Sequence, residues 1–416
     1  MKYMTEAENS KTCEVIVVGA GAAGMMAAIT AAERGKRVLL IEKNDRPGKK
    51  LAITGKGRCN VTNNCDIPEL IRNIPRNPKF LYSAFSRFAP ADTMKFFEEM
   101  GVPLKTERGK RVFPVSDKAA DIVNALENRL RRNGVKILRE EVRSLIIEEN
   151  RCCGVNCRNN SYLGKTVILA CGGASYPKTG SDGYGCRLAE QAGHTVVKLE
   201  PSLSAMVTKE KWVKKACGLT LRNTAMRLYD GNKAIYEDFG EVMFTADGIG
   251  GATVLSASAH IPSMEAGRYS VILDLKPALN EKQLDARILR DFAAGHGKTL
   301  AEVLRGLLPG ELCLPIAELA GISPDKKVDE ITKKERSGLL NLLKNLKLEI
   351  AGFRPLSEAI VTRGGVSTKE IFPKTMESRL CPGLFFAGEL IDVDGYTGGF
   401  NLQIAFATGR TAGFSV

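Results

Sequence analysis

The feature that most narrows what this chain can become is the run Gly19-Ala20-Gly21-Ala22-Ala23-Gly24. A short apolar segment, 14–18, precedes it, and an alanine-rich stretch follows as far as Arg34. Arg37-Val38-Leu39-Leu40-Ile41 then closes on Glu42. The order is strand, glycine turn, helix, strand, acid. Gly19 permits the tight turn, Gly21 lets backbone come close to a pyrophosphate, and Gly24 lets the helix pack against the strand. The helix start offers free N–H groups and the positive end of its dipole to phosphates. Glu42 stands where an acid accepts hydrogen bonds from ribose hydroxyls and repels a 2′-phosphate, which excludes NADP at this position.

A second segment extends the pattern. Pro47-Gly48-Lys49-Lys50-Leu51 leads to Thr54-Gly55-Lys56-Gly57-Arg58-Cys59-Asn60-Val61-Thr62-Asn63, and from Lys43 to Arg58 six basic residues accompany one acid, Asp45. Such a loop can wrap a diphosphate and a polyol chain through N–H groups and hydroxyls. At the far end, Gly383 to Glu389 reads as a strand ending in an acid. Gly398-Gly399-Phe400-Asn401-Leu402-Gln403 then opens a helix from Ile404 to Arg410. Two-electron reduction of a flavin places negative charge near N1 and the C2 carbonyl, and a glycine-rich helix start stabilises charge there. A simple nicotinamide dehydrogenase has no need of this second device, so the motifs point to FAD.

The motifs GAGAAG (19–24), RPGKKLAITGKGRCNVTN (46–63), CGGASYPKTGSDGYG (171–185), TRGGVS (362–367) and KTMESRLCPGLFFAGELIDVDGYTGGFNLQIAFATG (374–409) run from end to end. On these the chain resembles the flavoproteins with two dinucleotide-binding folds, and more narrowly the family that includes 3-dehydro-bile-acid reductase and aminoacetone oxidase. The resemblance implies FAD contacts at Gly19, Gly21, Gly24, Glu42, Lys43, Lys50, Leu51, Gly57, Arg58, Cys59 and Asn60. It implies Val142 against the adenine, Glu389 on the ribityl chain, and Gly399, Asn401 and Leu402 beneath the ring. Ala22, Ala23, Ala170, Gly172, Gly388, Asp392, Gly398 and Phe400 complete the expected set. Family members differ in substrate, so the resemblance specifies the cofactor better than the reaction.

The expected fold is α/β: a discontinuous Rossmann-type FAD-binding domain, an inserted β-rich domain and a small helical domain. The segments are 1–198 for the first FAD-binding part and 199–278 for a barrel-like substrate domain. A helical insert at 279–335, a return of the substrate domain at 336–356 and the second FAD-binding part at 357–416 follow. Within them, Ser116-Asp117 is expected to cap a helix ending before Gly134. Val135–Leu138 is expected as a strand with Val142 just beyond it. Leu219–Tyr229, Lys233–Tyr236, Val242–Thr245 and Tyr269–Leu275 read as strands, and 280–353 as helical.

Composition limits the alternatives. At 416 residues the chain exceeds one ordinary core, and 44% hydrophobic with 26% charged residues is globular. Eleven cysteines without a framework read as reduced thiols in a cytoplasmic protein. The uncharged stretch 15–32 holds three glycines and follows mixed charges (Glu6, Glu8, Lys11, Glu14), unlike a membrane span or signal peptide. The net charge of +13 is read as serving a pyrophosphate and an anionic small molecule, since no nucleic-acid module is evident by motif. No cysteine pair has C-x-x-C spacing, so no metal is expected.

A substrate cleft is expected where the insert faces the flavin, with Arg363 and Tyr396 as candidate catalytic groups. Arg363 suits an enolate or an acid, or equally a structural ion pair. The leading expectation is a reductase taking electrons from NADH or NADPH through FAD to an activated C=C bond, of the 3-oxo-4-ene steroid or bile-acid type. An oxidase of small amines such as aminoacetone is the alternative. Two further readings are a disulfide reductase using Cys59 and Cys65, and a flavin-dependent protein acting on RNA. The cysteines have five residues between them, and no histidine lies near the C-terminus to act as a base.

Overall fold

The computed structural model of the chain describes residues 12–416. Glu6, Glu8 and Lys11, invoked above against a membrane span, lie outside the described residues. The chain forms two compact units: one runs to Ser202 and resumes as Pro355–Val416, and the other is Leu203–Arg354.

The first unit is built on a seven-stranded sheet among the described residues. Its order is Lys136–Arg139, Val38–Glu42, Thr12–Val18, Ser161–Leu169, Arg151–Cys157, Val142–Glu148, with Leu384–Phe386 added beside Ser161–Leu169. The strands from Lys136–Arg139 to Ser161–Leu169, and Leu384–Phe386, pair in parallel. Val38–Glu42 is buried at every position, as a strand covered on both faces must be. The first described helix, Ala22–Glu33, is also buried from Ala23 to Ala31, which explains its alanine content. A helix apolar all round is one enclosed by its own protein, and its alanines leave room for Met25, Met26 and Ile29 to fill the gaps.

The last helix, Phe400–Ser415, lies against that first helix. A Cβ on Gly409 would come 2.3 Å from the Ala23 carbonyl oxygen, and one on Gly413 would come 2.3 Å from that of Ala27. Two glycines four residues apart thus let two helix backbones touch. By this contact the C-terminal segment seats itself on the N-terminal glycine motif.

The second unit is a closed barrel in the order Met206–Thr208, Gly248–Gly250, Lys233–Phe244, Thr220–Asp230, Tyr269–Asp274, Leu346–Phe353. Its helices are Ala252–Ser258, Glu281–Ala294, Leu300–Leu304, Gly310–Leu319 and Lys333–Lys344 among the described residues. Asn280, Thr299 and Thr332 each accept the N–H three residues on, and Gln283, Glu302 and Glu335 reach back: three capping boxes.

The architecture is therefore the expected Rossmann-type α/β domain with a β-barrel, but four local expectations change. Leu346–Phe353 is a strand rather than the end of a helical run, because Lys347 is exposed between buried Leu346 and Leu348, a period of two. Lys233–Phe244 is one strand, not two short ones. The strand expected to run to Glu389 stops at Phe386, and Glu389 lies in the 3₁₀ turn Gly388–Leu390. Ser116-Asp117 does not cap the helix Ala119–Arg132, whose N-cap is Lys118. Ser116 instead bonds Asp121, and Asp117 turns left-handed (φ +56°) to meet Arg58 and Lys105. The stretch 15–32 is divided between a strand and a helix, and no helix among the described residues is long and apolar enough to cross a membrane.

Gly413→Val should force the two helices apart. We expect a loss of about 1–3 kcal/mol of stability, in the range of overpacked cores, read as a lower thermal midpoint. An unchanged midpoint would contradict the backbone contact.

Candidate functional site

The turn after Thr12–Val18 brings Gly19, Gly21 and Gly24 to the start of the first helix. A Cβ at Gly24 would lie 1.8 Å from the Gly19 carbonyl oxygen, so this residue cannot carry a side chain. Above Gly21 the space is open to 4 Å, and the helix start has no side-chain cap. Uncapped N–H groups under open space, flanked by Ala22 and Ala23, are what a pyrophosphate needs. Glu42 ends the second strand, buried, and is held in place: Oε2 accepts the Ala20 N–H at 2.7 Å and Oε1 accepts Asn44 N–H at 2.8 Å.

The basic loop is more ordered than its composition implies. The stretch Lys49–Gly57 starts as a helix and is kinked by extended Thr54 and left-handed Gly55 and Lys56. Leu51 is buried in the core, while nothing lies within 4 Å of the space above Gly57. Lys43 pairs with Asp182 at 2.7 Å. Arg58 is held by Glu107 and Asp117 and lies over the Phe113 ring at 4.2 Å. Its guanidinium thus braces the loop from behind. Cys59 takes φ +59° and is fully buried; burial pushes its thiol up to about 12. Cys65 is pushed up to about 11, chiefly by burial. Neither offers the thiolate that disulfide exchange requires.

One ionic network ties distant segments together. Lys50 Nζ lies 2.7 Å from Glu389 Oε2 and 2.7 Å from Ser175 Oγ. Glu389 Oε1 accepts the Thr362 N–H at 2.7 Å and Ser175 Oγ–H at 3.2 Å. Burial alone would raise the Glu389 carboxyl, but the Lys50 charge and the hydrogen bonds from Lys50, Thr362 and Ser175 outweigh it and hold it below the usual glutamate range. Ser175 and Thr362 did not stand out in the sequence. Both sit inside its motifs, but no spacing marks a hydroxyl that will bind a carboxylate.

The two chain ends also meet directly. Gly399, at φ +98°, caps the last helix, and a Cβ there would come 2.3 Å from the Thr62 carbonyl oxygen. Asn63 Nδ2 donates to the Gly398 carbonyl at 3.0 Å, and Thr62 Oγ1 donates to Gln403 Oε1 at 2.6 Å. The buried oxygens Asn60 Oδ1 and Asn63 Oδ1 have no hydrogen-bond partner in the protein. Orphaned acceptors beside an uncapped helix start leave polar capacity for a ligand with donors. The expected group, with its N–H and hydroxyl donors and anionic phosphates, fits this set.

Other expected residues take different positions. Asn401 is turned to its own loop, accepting Gly395 N–H at 2.9 Å and donating to Gly395 O at 2.7 Å. Phe400 is buried and Leu402 partly so. Asp392 accepts from Arg76 at 3.2 Å and Asn77 at 3.0 Å. The Gly388 N–H donates to Thr408 Oγ1 at 2.9 Å. Ala170 is buried beside Gly19, Gly172 abuts Ser181, and Val142 is buried at the start of its strand. Arg363 is buried and bonds Glu200 at 2.6 Å across the strand pair Val196–Ser202 and Val361–Val366. Tyr396 is partly buried; burial, then the charge of Asp394, raises its phenol. Asp394 was not foreseen: it is 1% exposed and accepts Ser202 Oγ–H at 2.6 Å, and burial pushes its carboxyl up.

Residues 13–415 match the profile of the HI0933-like protein Rossmann domain. The chain belongs to this family. It is 34% identical over 404 residues to a 3-dehydro-bile acid delta(4,6)-reductase of Clostridium scindens, covering 95% of this chain and 97% of that one. It is 29% identical to a ribosomal RNA dihydrouridine synthase of Escherichia coli, over 95% and 96%. A flavocytochrome c3 fumarate reductase shares the fold, with a TM-score of 0.53 at 20% identity over 98% of this chain and 78% of that one. The chain is an FAD-dependent oxidoreductase.

Lys50→Met should weaken FAD binding about tenfold or more, since it leaves a largely buried carboxylate unpaired. The pH dependence has a fixed sign. Glu389 titrates low when paired, so its contribution holds at neutral pH and fades as pH falls through that lowered value. In Lys50→Met the carboxyl titrates higher, and flavin release on acidification, followed by its fluorescence, should begin at higher pH.

Proposed function

We propose that the protein reduces a C=C bond conjugated to a carbonyl, with NADH or NADPH restoring the reduced cofactor. The observation that carries this reading is that two relatives matched along nearly the whole chain bear names sharing one chemistry. A delta(4,6)-reductase acts on double bonds conjugated to a 3-oxo group, and a dihydrouridine is a uridine whose 5,6 double bond, conjugated to the 4-carbonyl, has been saturated. Bound FAD supplies the two-electron chemistry of such a step.

The chain's own residues supply binding, charge and a proton. The uncapped start of the first helix holds the pyrophosphate. The Lys50–Glu389–Ser175–Thr362 network fixes the segment meant for the ribityl chain. The start of the last helix, which has no side-chain cap, directs a positive dipole end to the ring. Tyr396, held protonated by its surroundings, is our candidate to deliver the proton that saturation of the bond requires. Arg363, bonded to Glu200, positions its strand and places charge near Asp394.

A 3-oxo-4-ene steroid acid is the substrate class we favour, from the relative at 34% identity. The net charge of +13 favours a second reading, a uridine in ribosomal RNA. Eleven free cysteines among the described residues suit a reducing cytoplasm.

The test is anaerobic. NADH or NADPH should bleach the flavin, and a 3-oxo-4-ene bile acid should restore its colour with one equivalent of saturated product. Restoration by a ribosomal RNA fragment, with dihydrouridine formed, selects the second reading. Bleaching by aminoacetone, with peroxide formed in air, would instead make the protein an amine oxidase and sink the proposal. Tyr396→Phe should lower kcat about a hundredfold with little change in KM.

A further inference from the structure

The barrel unit holds a cavity of about 220 Å³ that no part of the flavin chemistry uses. It lies between the strand Thr220–Asp230, the end of the strand Tyr269–Asp274, and the start of the helix Gly310–Leu319. Its polar side is Thr220, Arg222, Asn223, Thr224 and Lys276, and its apolar side includes Leu221, Leu275, Leu308 and Leu312. No acid lines it.

The backbone makes this place deliberately irregular. Leu221 pairs with Val242 and Thr224 with Gly240, so three steps on one strand face two on the other. The extra residue is a β-bulge at Arg222-Asn223, the device that re-aims side chains at a sheet's rim. Arg222 and Asn223 are exposed, Lys276 is half-buried and Thr224 is buried.

Of the nearby acids, Glu241 opposite the bulge and Glu311 in the first turn of the helix are exposed and do not line the cavity, and two others have partners. Asp274 takes Lys344 at 2.5 Å and the Lys276 N–H at 2.9 Å, and Asp291 takes Arg287 at 2.8 Å. Among the described residues no carboxylate stands within ion-pair distance of the Lys276 ammonium or the Arg222 guanidinium. Burial, with the charge of Arg287 added, draws Lys276 below the usual lysine range. Two cations without a counter-charge, one of them partly desolvated, face apolar walls. Such a site gains most from an anion.

We infer that the barrel binds a short amphipathic anion, a carboxylate or phosphate monoester on a small apolar body. Arg222 and Lys276 hold the charged head, Thr220, Asn223 and Thr224 supply further polar contacts, and the body lies against Leu275 and Leu312. The volume lies below the ~300–1,000 Å³ of pockets for drug-sized ligands, so it takes a fragment of hexanoate size rather than a whole steroid. This inference is independent of the reaction proposed above.

Calorimetry on the FAD-loaded full chain tests it, with hexanoate, hexyl phosphate and neutral hexanamide as probes. We expect saturable binding of at least one anion at one site per chain, and at least tenfold weaker binding of hexanamide. The tighter anion identifies the head group. Arg222→Met and Lys276→Met should each weaken that anion about tenfold, with FAD content and melting temperature unchanged. Equal affinity for hexanamide, an affinity untouched in the double variant, or no binding of either anion at millimolar concentration would overturn the inference. So would steeply salt-dependent binding of a short oligoribonucleotide that the same two variants abolish, which would make these cations a nucleic-acid contact.

Discussion

Close approach of backbone to backbone governs this molecule. The last helix reaches the first through Gly409 and Gly413, and its start reaches the N-terminal loop through Gly399 and Thr62. At each place a single Cβ would intrude to 2.3 Å of a carbonyl oxygen. Because these contacts admit no side chain, the C-terminal segment has one way to seat. Seating it completes the parallel sheet through Leu384–Phe386 and places Glu389 beside Lys50. A chain interrupted by 152 residues of barrel unit, Leu203–Arg354, thereby recovers one continuous domain.

Electrostatics then separates binding groups from bracing groups. The basic residues between Lys43 and Arg58 look equivalent in sequence, yet their partners divide them. Arg58 is enclosed by Glu107 and Asp117, and Lys43 meets Asp182, so both stabilise the loops that carry them. Lys50 connects to Glu389, Ser175 and, through them, Thr362, joining segments more than 300 positions apart. The Lys50–Glu389 pair is partly shielded, with side chains 22% and 20% exposed, and it has hydrogen bonds to satisfy it. That is the situation in which an ion pair orders a site rather than merely decorating a surface.

Much of this was legible in the sequence because backbone chemistry leaves a strong trace. Glycine is required wherever N–H groups must face a ligand or helices must touch, so the N-terminal motif and Gly398-Gly399 could be read directly. The apolar strand ending in Glu42 followed from run length, whereas the second strand stops at Phe386 and Glu389 stands beyond it in a 3₁₀ turn. Side-chain destinations were less legible. Nothing in the local sequence says that Asn401 turns to Gly395, that Arg363 bonds Glu200, or that Asp394 is buried against Ser202. These depend on partners about 160 to 190 positions away, or on how a short loop folds back. The strand Leu346–Phe353 was hidden for another reason: its leucines continue the spacing of the preceding helix, and only the exposure of Lys347 reveals the change of period.

The central claim is that segments from both ends of the chain enclose one FAD. Hydrogen–deuterium exchange, comparing the protein stripped of flavin with the protein after FAD is restored, measures this at each segment. The account predicts that FAD slows exchange together in the stretches 19–25, 54–63 and 398–403, with the barrel strands unchanged. Protection confined to the N-terminal stretches, with the start of the last helix exchanging equally fast in both states, would contradict it.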